Sequence, residues 1–130
     1  MDGVANVSTC ELLLVEDDPN LRSTMALVLQ KAGFGVETAV SLTTARQHLQ
    51  TKQFDLLLLD LDLSGECGLP LLAEVRTFHN NVQTVIFSAQ NSPPLQKKAL
   101  RNGARAYLVK PVDPTEIILF IRSLICARTA

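Results

Sequence analysis

Four groups of residues stand out for the chemistry they could do together: Glu16-Asp17-Asp18, Asp60 with Asp62, Ser88, and Lys110-Pro111. An acidic turn by itself is usually a solvated one. Here, however, each group directly follows a short apolar run, so folding could carry all of them to one edge. Three carboxylates about 5 Å apart repel by about 3 kcal/mol per pair at an effective dielectric of about 20, more than one lysine neutralises. A hard divalent cation relieves that repulsion. An oxygen-only donor set points to Mg²⁺ (or Mn²⁺) rather than zinc. Mg²⁺ is commonly held by one or two carboxylates with a phosphate completing its shell, so the site reads as half-built until a phosphoryl group arrives. Asp60 follows Leu56–Leu59 directly and is the nucleophile candidate, because a carboxylate that attacks phosphorus yields an acyl phosphate. Lys110 and the metal would stabilise charge on the transferring oxygens, and Ser88 could donate to the product. A cis Lys110-Pro111 bond would aim the ammonium.

The elements that must position these groups are legible as alternating apolar runs and helix-period stretches. Glu11–Val15 reads as a strand. Asp18-Pro19 reads as an N-cap and first-turn proline, with Leu21, Met25, Val28, Leu29 and Ala32 on one helical face and Gly33 closing the helix. Strands are expected at Gly35–Thr38, Phe54–Leu59, Gln83–Ser88 and Ala106–Val109. Helices are expected over Ser41–Thr51, from Gly68-Leu69-Pro70 to Phe78, from Ser92-Pro93 to Gly103, and from Asp113-Pro114 to about Cys126. Asp113 and Glu116 have capping-box spacing. Five βα units with continuously apolar strands imply an α/β fold, a doubly wound parallel sheet with helices on both faces. In such sheets ligands bind at the carboxyl ends of the strands.

Composition narrows the classes. At 130 residues the chain suits one domain, read as an N-terminal extension (1–10), a domain over 11–127 and a short tail (128–130). A net charge of −1 offers no basic face for nucleic acid or anionic membrane. No apolar run approaches the length of a membrane span, and MDGVANVSTC lacks the features of a signal peptide. Cys10, Cys67 and Cys126 form no metal or CxxC pattern and read as reduced thiols, so a cytoplasmic location is expected.

LLLVEDDP, LLLLDLDLSGECG, VIFSA and YLVKP, in that order and spacing, resemble the receiver domain of two-component response regulators from about Leu12 to Ile125. The resemblance implies a flavodoxin-like (βα)5 fold with strand order 2-1-3-4-5. It implies that Asp60 is phosphorylated by a sensor histidine kinase or a histidine phosphotransfer protein. Mg²⁺ would be held by Glu16, Asp17, Asp60 and the backbone carbonyl of Asp62. Lys110 would contact the phosphoryl group, Ser88 would swing toward it, and Tyr107 would follow as a switch aromatic. Asp62 and Gln90 match positions that tune phosphoryl lifetime. Such a domain promotes its own phosphorylation and dephosphorylation and is not an enzyme on external substrates. Three residues depart from the family pattern: Glu16 for Asp, Ser64 for Pro, and Cys67 at a usually polar position.

The resemblance further places output on the face of the fourth helix, fifth strand and fifth helix. The fifth helix is rich in apolar residues, and Leu119 projects away from its main stripe, which suggests a partner or homodimer surface. Lys97, Lys98, Arg101 and Arg105 read as a solvated face. Two other readings compete. LLLLDLDLSG also looks like the DxD motif of haloacid-dehalogenase-like phosphatases, but those want Thr or Val at position 64 and place metal-binding acids after the nucleophile. A phosphorylation-independent pseudo-receiver would not need every catalytic position filled, as it is here.

Overall fold

The computed structural model describes residues 10–63 and 65–129, with side chains through Ile125. Strands β1 (Glu11–Val15), β2 (Gly35–Ala39), β3 (Leu56–Asp60), β4 (Gln83–Ser88) and β5 (Ala104–Val109) form one parallel sheet in the order β2-β1-β3-β4-β5. Helices α1 (Pro19–Lys31), α2 (Leu42–Thr51), α3 (Leu69–Phe78), α4 (Pro93–Arg101) and α5 (Pro114–Thr129) connect or follow the strands. The doubly wound sheet and its strand order are those expected from the sequence.

Period-2 alternation splits the core into two layers. Leu13, Val15, Leu57, Leu59 and Ile86 face α2, α3 and α4, where they meet Leu42, Leu49, Leu71, Val75 and Ala99. Leu12, Leu14, Leu56, Leu58, Val85 and Phe87 face α1 and α5, meeting Met25, Leu29, Ile117, Ile121 and Leu124. Both sides of β1 and β3 are therefore covered, which is why those strands carry no alternating polar residues.

The helix starts follow from local chemistry. Asp18 Oδ1 accepts from Asn20 N at 3.0 Å, Ser41 Oγ from Thr44 N at 3.1 Å and Ser92 Oγ from Leu95 N at 3.3 Å. Asp113 Oδ1 accepts from Thr115 N at 2.9 Å, an N-cap bond to the second helical residue rather than the bond to Glu116 N that the expected capping box has. Gly33, at φ 103, supplies the left-handed residue after α1, as its position in the sequence implies. A bidentate Arg46–Glu74 pair, at 2.8 and 2.7 Å, ties α2 to α3.

Some boundaries differ from the expected ones. β3 starts at Leu56 and runs on to include Asp60, which pairs with Phe87. β5 starts at Ala104, which pairs with Thr84 ahead of a register shift between Thr84 and Val85. A two-residue antiparallel ribbon, Asp62–Leu63 against Glu66–Cys67, follows β3 and has no period long enough to read in sequence. Ser64, one of the three departures from the family pattern, lies outside the described residues.

Candidate functional site

Glu16 and Asp17 leave the end of β1. Glu16 N donates to Ala39 O at 3.0 Å, which extends the β1–β2 ladder and holds the acidic turn at the sheet edge. The Glu16 carboxylate is buried; Oε2 accepts from Asp18 N at 3.0 Å and Oε1 from Lys110 Nζ at 2.9 Å. Arg22 reaches back from the first turn of α1, and its Nη1 donates to the carbonyls of Glu16 (3.1 Å) and Asp17 (3.3 Å). None of the motifs singles out this clamp. Its signal was the position of Arg22 four residues beyond the Asp18 cap, which turns the side chain back over the loop.

Asp60 closes β3 and is 1% exposed. Its Oδ1 accepts from Asp62 N at 2.9 Å and its Oδ2 from Lys110 Nζ at 3.1 Å. Lys110 is carried by the residue after β5, where its N–H donates to Ser88 O at 2.8 Å; the Lys110-Pro111 peptide is cis. Its ammonium lies 5.1 Å from the centroid of the Phe87 ring. Gly68 backs the site: a Cβ there would stand 3.2 Å from Asp60 O and 3.2 Å from Leu61 Cδ2.

Burial pushes the Asp60 carboxyl up to about 6; the Asp62 N–H and Lys110 hold it down, and the Glu16 charge adds to the rise. Burial draws the Lys110 ammonium down, but its bonds to Glu16 and Asp60 outweigh that and the net shift is upward. Asp60 is therefore ionised near neutrality yet more basic than an ordinary aspartate.

Glu16, Asp17 and Asp60 each bring one carboxylate oxygen within 4.8 Å of the others. With Lys110 as the near counter-charge, the ionised cluster keeps two negative charges, and its donors are all oxygen. The cluster can coordinate a divalent cation, and this chemistry fits a hard one.

The remaining predicted residues form an adjoining network. Ser88, fully buried at the end of β4, donates from Oγ to Asp62 Oδ2 at 2.7 Å. Gln90 N donates to Ser88 Oγ at 3.0 Å, and Gln90 Nε2 donates to Asp62 Oδ1. The Tyr107 hydroxyl donates to Gln90 O at 2.7 Å. The fold thus gathers Glu16, Asp17, Asp60 and Lys110 around one point and places Ser88, Asp62, Gln90 and Tyr107 in a chain beside it. β2 contributes none of them.

A doubly wound sheet with a buried, lysine-bridged aspartate among further carboxylates at its carboxyl edge defines a class of phosphorylation-based signalling switch. The profile of the response regulator receiver domain matches residues 12–122, and the chain belongs to that family. It is 36% identical over 108 residues to the alginate biosynthesis transcriptional regulatory protein AlgB of Pseudomonas putida, covering 83% of this chain and 24% of AlgB. The chain therefore spans about a quarter of that relative's length. Among solved structures, it resembles a CheY-like receiver domain protein from Methanospirillum hungatei (TM-score 0.89, 24% identity, 94% of this chain and 98% of the other). It also resembles a putative response regulator from Chloroflexus aurantiacus (TM-score 0.83, 28% identity, 92% and 99%). Receiver domains act on their own phosphorylation state and not on external substrates, which sets aside the phosphatase reading.

Proposed function

We propose that Asp60 is the phosphoacceptor and that residues 11–127 work as one cytoplasmic receiver unit. The donor is a phosphohistidine on a sensor histidine kinase or a histidine phosphotransfer protein. A carboxylate oxygen of Asp60 attacks phosphorus, the P–N bond breaks, and the imidazole, protonated on its other ring nitrogen, leaves as the neutral base with the bonding electron pair. The observation that carries this reading is the lysine bridge: Lys110 joins buried Glu16 and Asp60 beside a third carboxylate, Asp17. Burial raises the basicity of Asp60, which makes it a stronger nucleophile than a solvated aspartate while leaving it ionised at neutral pH.

Glu16, Asp17, Asp60 and the backbone carbonyl of Asp62 are the groups that would hold Mg²⁺ (or Mn²⁺), which when bound supplies positive charge against the phosphoryl oxygens. Lys110 moves from the Asp60 carboxylate to a phosphoryl oxygen, Ser88 donates to another, and Tyr107 responds through the loop that carries Gln90. Asp62 and Gln90 border the same cavity outside the site, lined also by Cys67 and Leu95, and set how long the acyl phosphate survives.

Output runs through α4, β5 and α5. A groove of about 410 Å³ there is lined by Tyr107, Pro111, Val112, Glu116 and Phe120, and Leu119 on α5 is 62% exposed. This face suits a partner protein or a second copy of the chain; direct nucleic-acid binding is not part of the proposal. No helix among the described residues is long and apolar enough to cross a membrane.

Incubation with acetyl phosphate, with and without Mg²⁺, tests the reading. One phosphoryl group should add only with metal, map to the peptide containing Asp60, and fail to add to Asp60→Asn. Labelling at another residue, or equal labelling with chelator, would reject it. A dilution series by light scattering, with and without beryllium fluoride, tests self-association; a monomer under all conditions rejects that part.

A further inference from the structure

We infer that Asp62 is a positioning residue that latches the unphosphorylated state, holding the Ser88 hydroxyl away from the phosphoryl site through a charge-assisted bond. The inference rests on Asp60 being the phosphoacceptor and adds an opponent to the switch.

A serine hydroxyl has one proton to donate. In this structure the Ser88 proton goes to Asp62 Oδ2 at 2.7 Å, with Ser88 fully buried. The same hydroxyl oxygen accepts from Gln90 N at 3.0 Å. Asp62 Oδ1 is taken by Gln90 Nε2, so the carboxylate grips both ends of the Ser88–Gln90 segment. Ser88 cannot serve a phosphoryl oxygen on Asp60 until its hydroxyl rotates out of this grip. That rotation removes the acceptor of Gln90 N, and the Gln90 carbonyl is where the Tyr107 hydroxyl is anchored at 2.7 Å. The Asp62 backbone points the other way: its N–H binds Asp60 Oδ1 at 2.9 Å. One residue thus braces the nucleophile with its main chain and restrains the switch with its side chain.

Hydrogen bonds to an ionised acceptor are strong enough to bias a two-state equilibrium by about ten- to a hundredfold. Releasing the latch should therefore make the active arrangement easier to reach, and a phosphoryl mimic should bind more tightly. Removing the Asp62 charge would also favour any anion nearby, so a single variant does not separate the two effects. A double-mutant cycle through Ser88 does.

The experiment measures beryllium fluoride affinity at saturating Mg²⁺ for the wild-type chain, Asp62→Ala, Ser88→Ala and the double variant. Fluorescence of Tyr107, the single tyrosine in a chain without tryptophan, is the readout. Asp62→Ala should tighten binding about tenfold in the wild-type background and less than about twofold beside Ser88→Ala. Equal gains in both backgrounds would mean charge alone and overturn the latch. Asp62→Asn, which keeps the shape and weakens the acceptor, should give a smaller shift of the same sign and covers the case in which the alanine variant does not fold. Failure of the wild-type chain to bind the mimic would instead strike at Asp60 as phosphoacceptor. Even then, mimic-free Tyr107 emission that is unchanged by Asp62→Ala would overturn the latch on its own.

Discussion

Lys110 and Glu16 stand 94 residues apart in the chain and meet at 2.9 Å, ammonium to carboxylate, in a place where Glu16 is 1% exposed. The same ammonium holds Asp60 at 3.1 Å, so one positive charge keeps two buried carboxylates compatible. Replacing Lys110 with Met should leave both unpaired and lower the metal-free unfolding free energy by about 2–4 kcal/mol. Phosphorylation by a small donor should slow by about a hundredfold. Urea unfolding in chelator and in excess Mg²⁺ checks the first part, since the cation should restore much of the loss. Identical midpoints for variant and wild type in chelator would contradict it.

Asp60 also links stability to pH. Its folded value of about 6 lies above the ordinary aspartate value of 3.8, so between them the folded chain binds more protons than the unfolded one. The stabilisation from Asp60 is full below about 3.8 and is lost as pH rises through about 6. Asp60→Asn mimics the protonated form and should raise metal-free stability at pH 8 by about 2 kcal/mol, with little gain at pH 4. Denaturant curves at the two pH values decide this; a variant less stable than wild type at pH 8 would rule it out.

The same titration competes with cation binding. Mg²⁺ affinity should climb as pH rises through about 6 and level off above neutrality, with protons released on binding only in the lower range. Calorimetry in buffers of different ionisation enthalpy measures that release. A flat affinity from pH 5 to 8 would show that Asp60 is not among the ligands.

Gly68 packs against the Asp60 peptide. A methyl group there would sit 3.2 Å from Asp60 O, and backbone cannot yield as a side-chain end can. Gly68→Ala should cost about 1–3 kcal/mol and slow phosphorylation more than its stability loss explains, because Asp60 must shift. Comparison of labelling rates at matched folded fraction tests this; equal rates would confine the effect to packing.

Arg22 touches no reacting group, yet it ties down the carbonyls of Glu16 and Asp17. Arg22→Ala should weaken Mg²⁺ binding about tenfold with little change in metal-free stability. An unchanged Mg²⁺ dissociation constant would show that the turn holds its shape without the clamp.

Much of this arrangement could be read from the residues alone. Asp18-Pro19 and Ser92-Pro93 mark helix starts because capping and proline geometry are local. Leu12–Val15 and Leu56–Leu59 mark the central strands because covering both faces removes alternation. The acidic groups could be assigned to one edge because parallel strands all end there. What was not legible depends on contacts between distant segments. Asp60 joins β3 only because Phe87 pairs with it, and Ala104 joins β5 only because Thr84 does. The bond from Ser88 to Asp62, the bridging position of Lys110 and the return of Arg22 depend on side-chain directions that spacing does not encode.

The strand order has a consequence for how such a domain is built into larger assemblies. β1 and β3, which carry the acidic groups, are interior strands clamped by neighbours on both sides, whereas Tyr107 and Lys110 belong to one of the two edge strands, β5, or the residue just beyond it. The molecule therefore has a stator and a rim. On the switch proposed above, a neighbour fastened along the β5 margin would be placed to sense each turn, while one fastened at the opposite margin, β2, would ride on the stator, and the domain could be moored there without muffling its message.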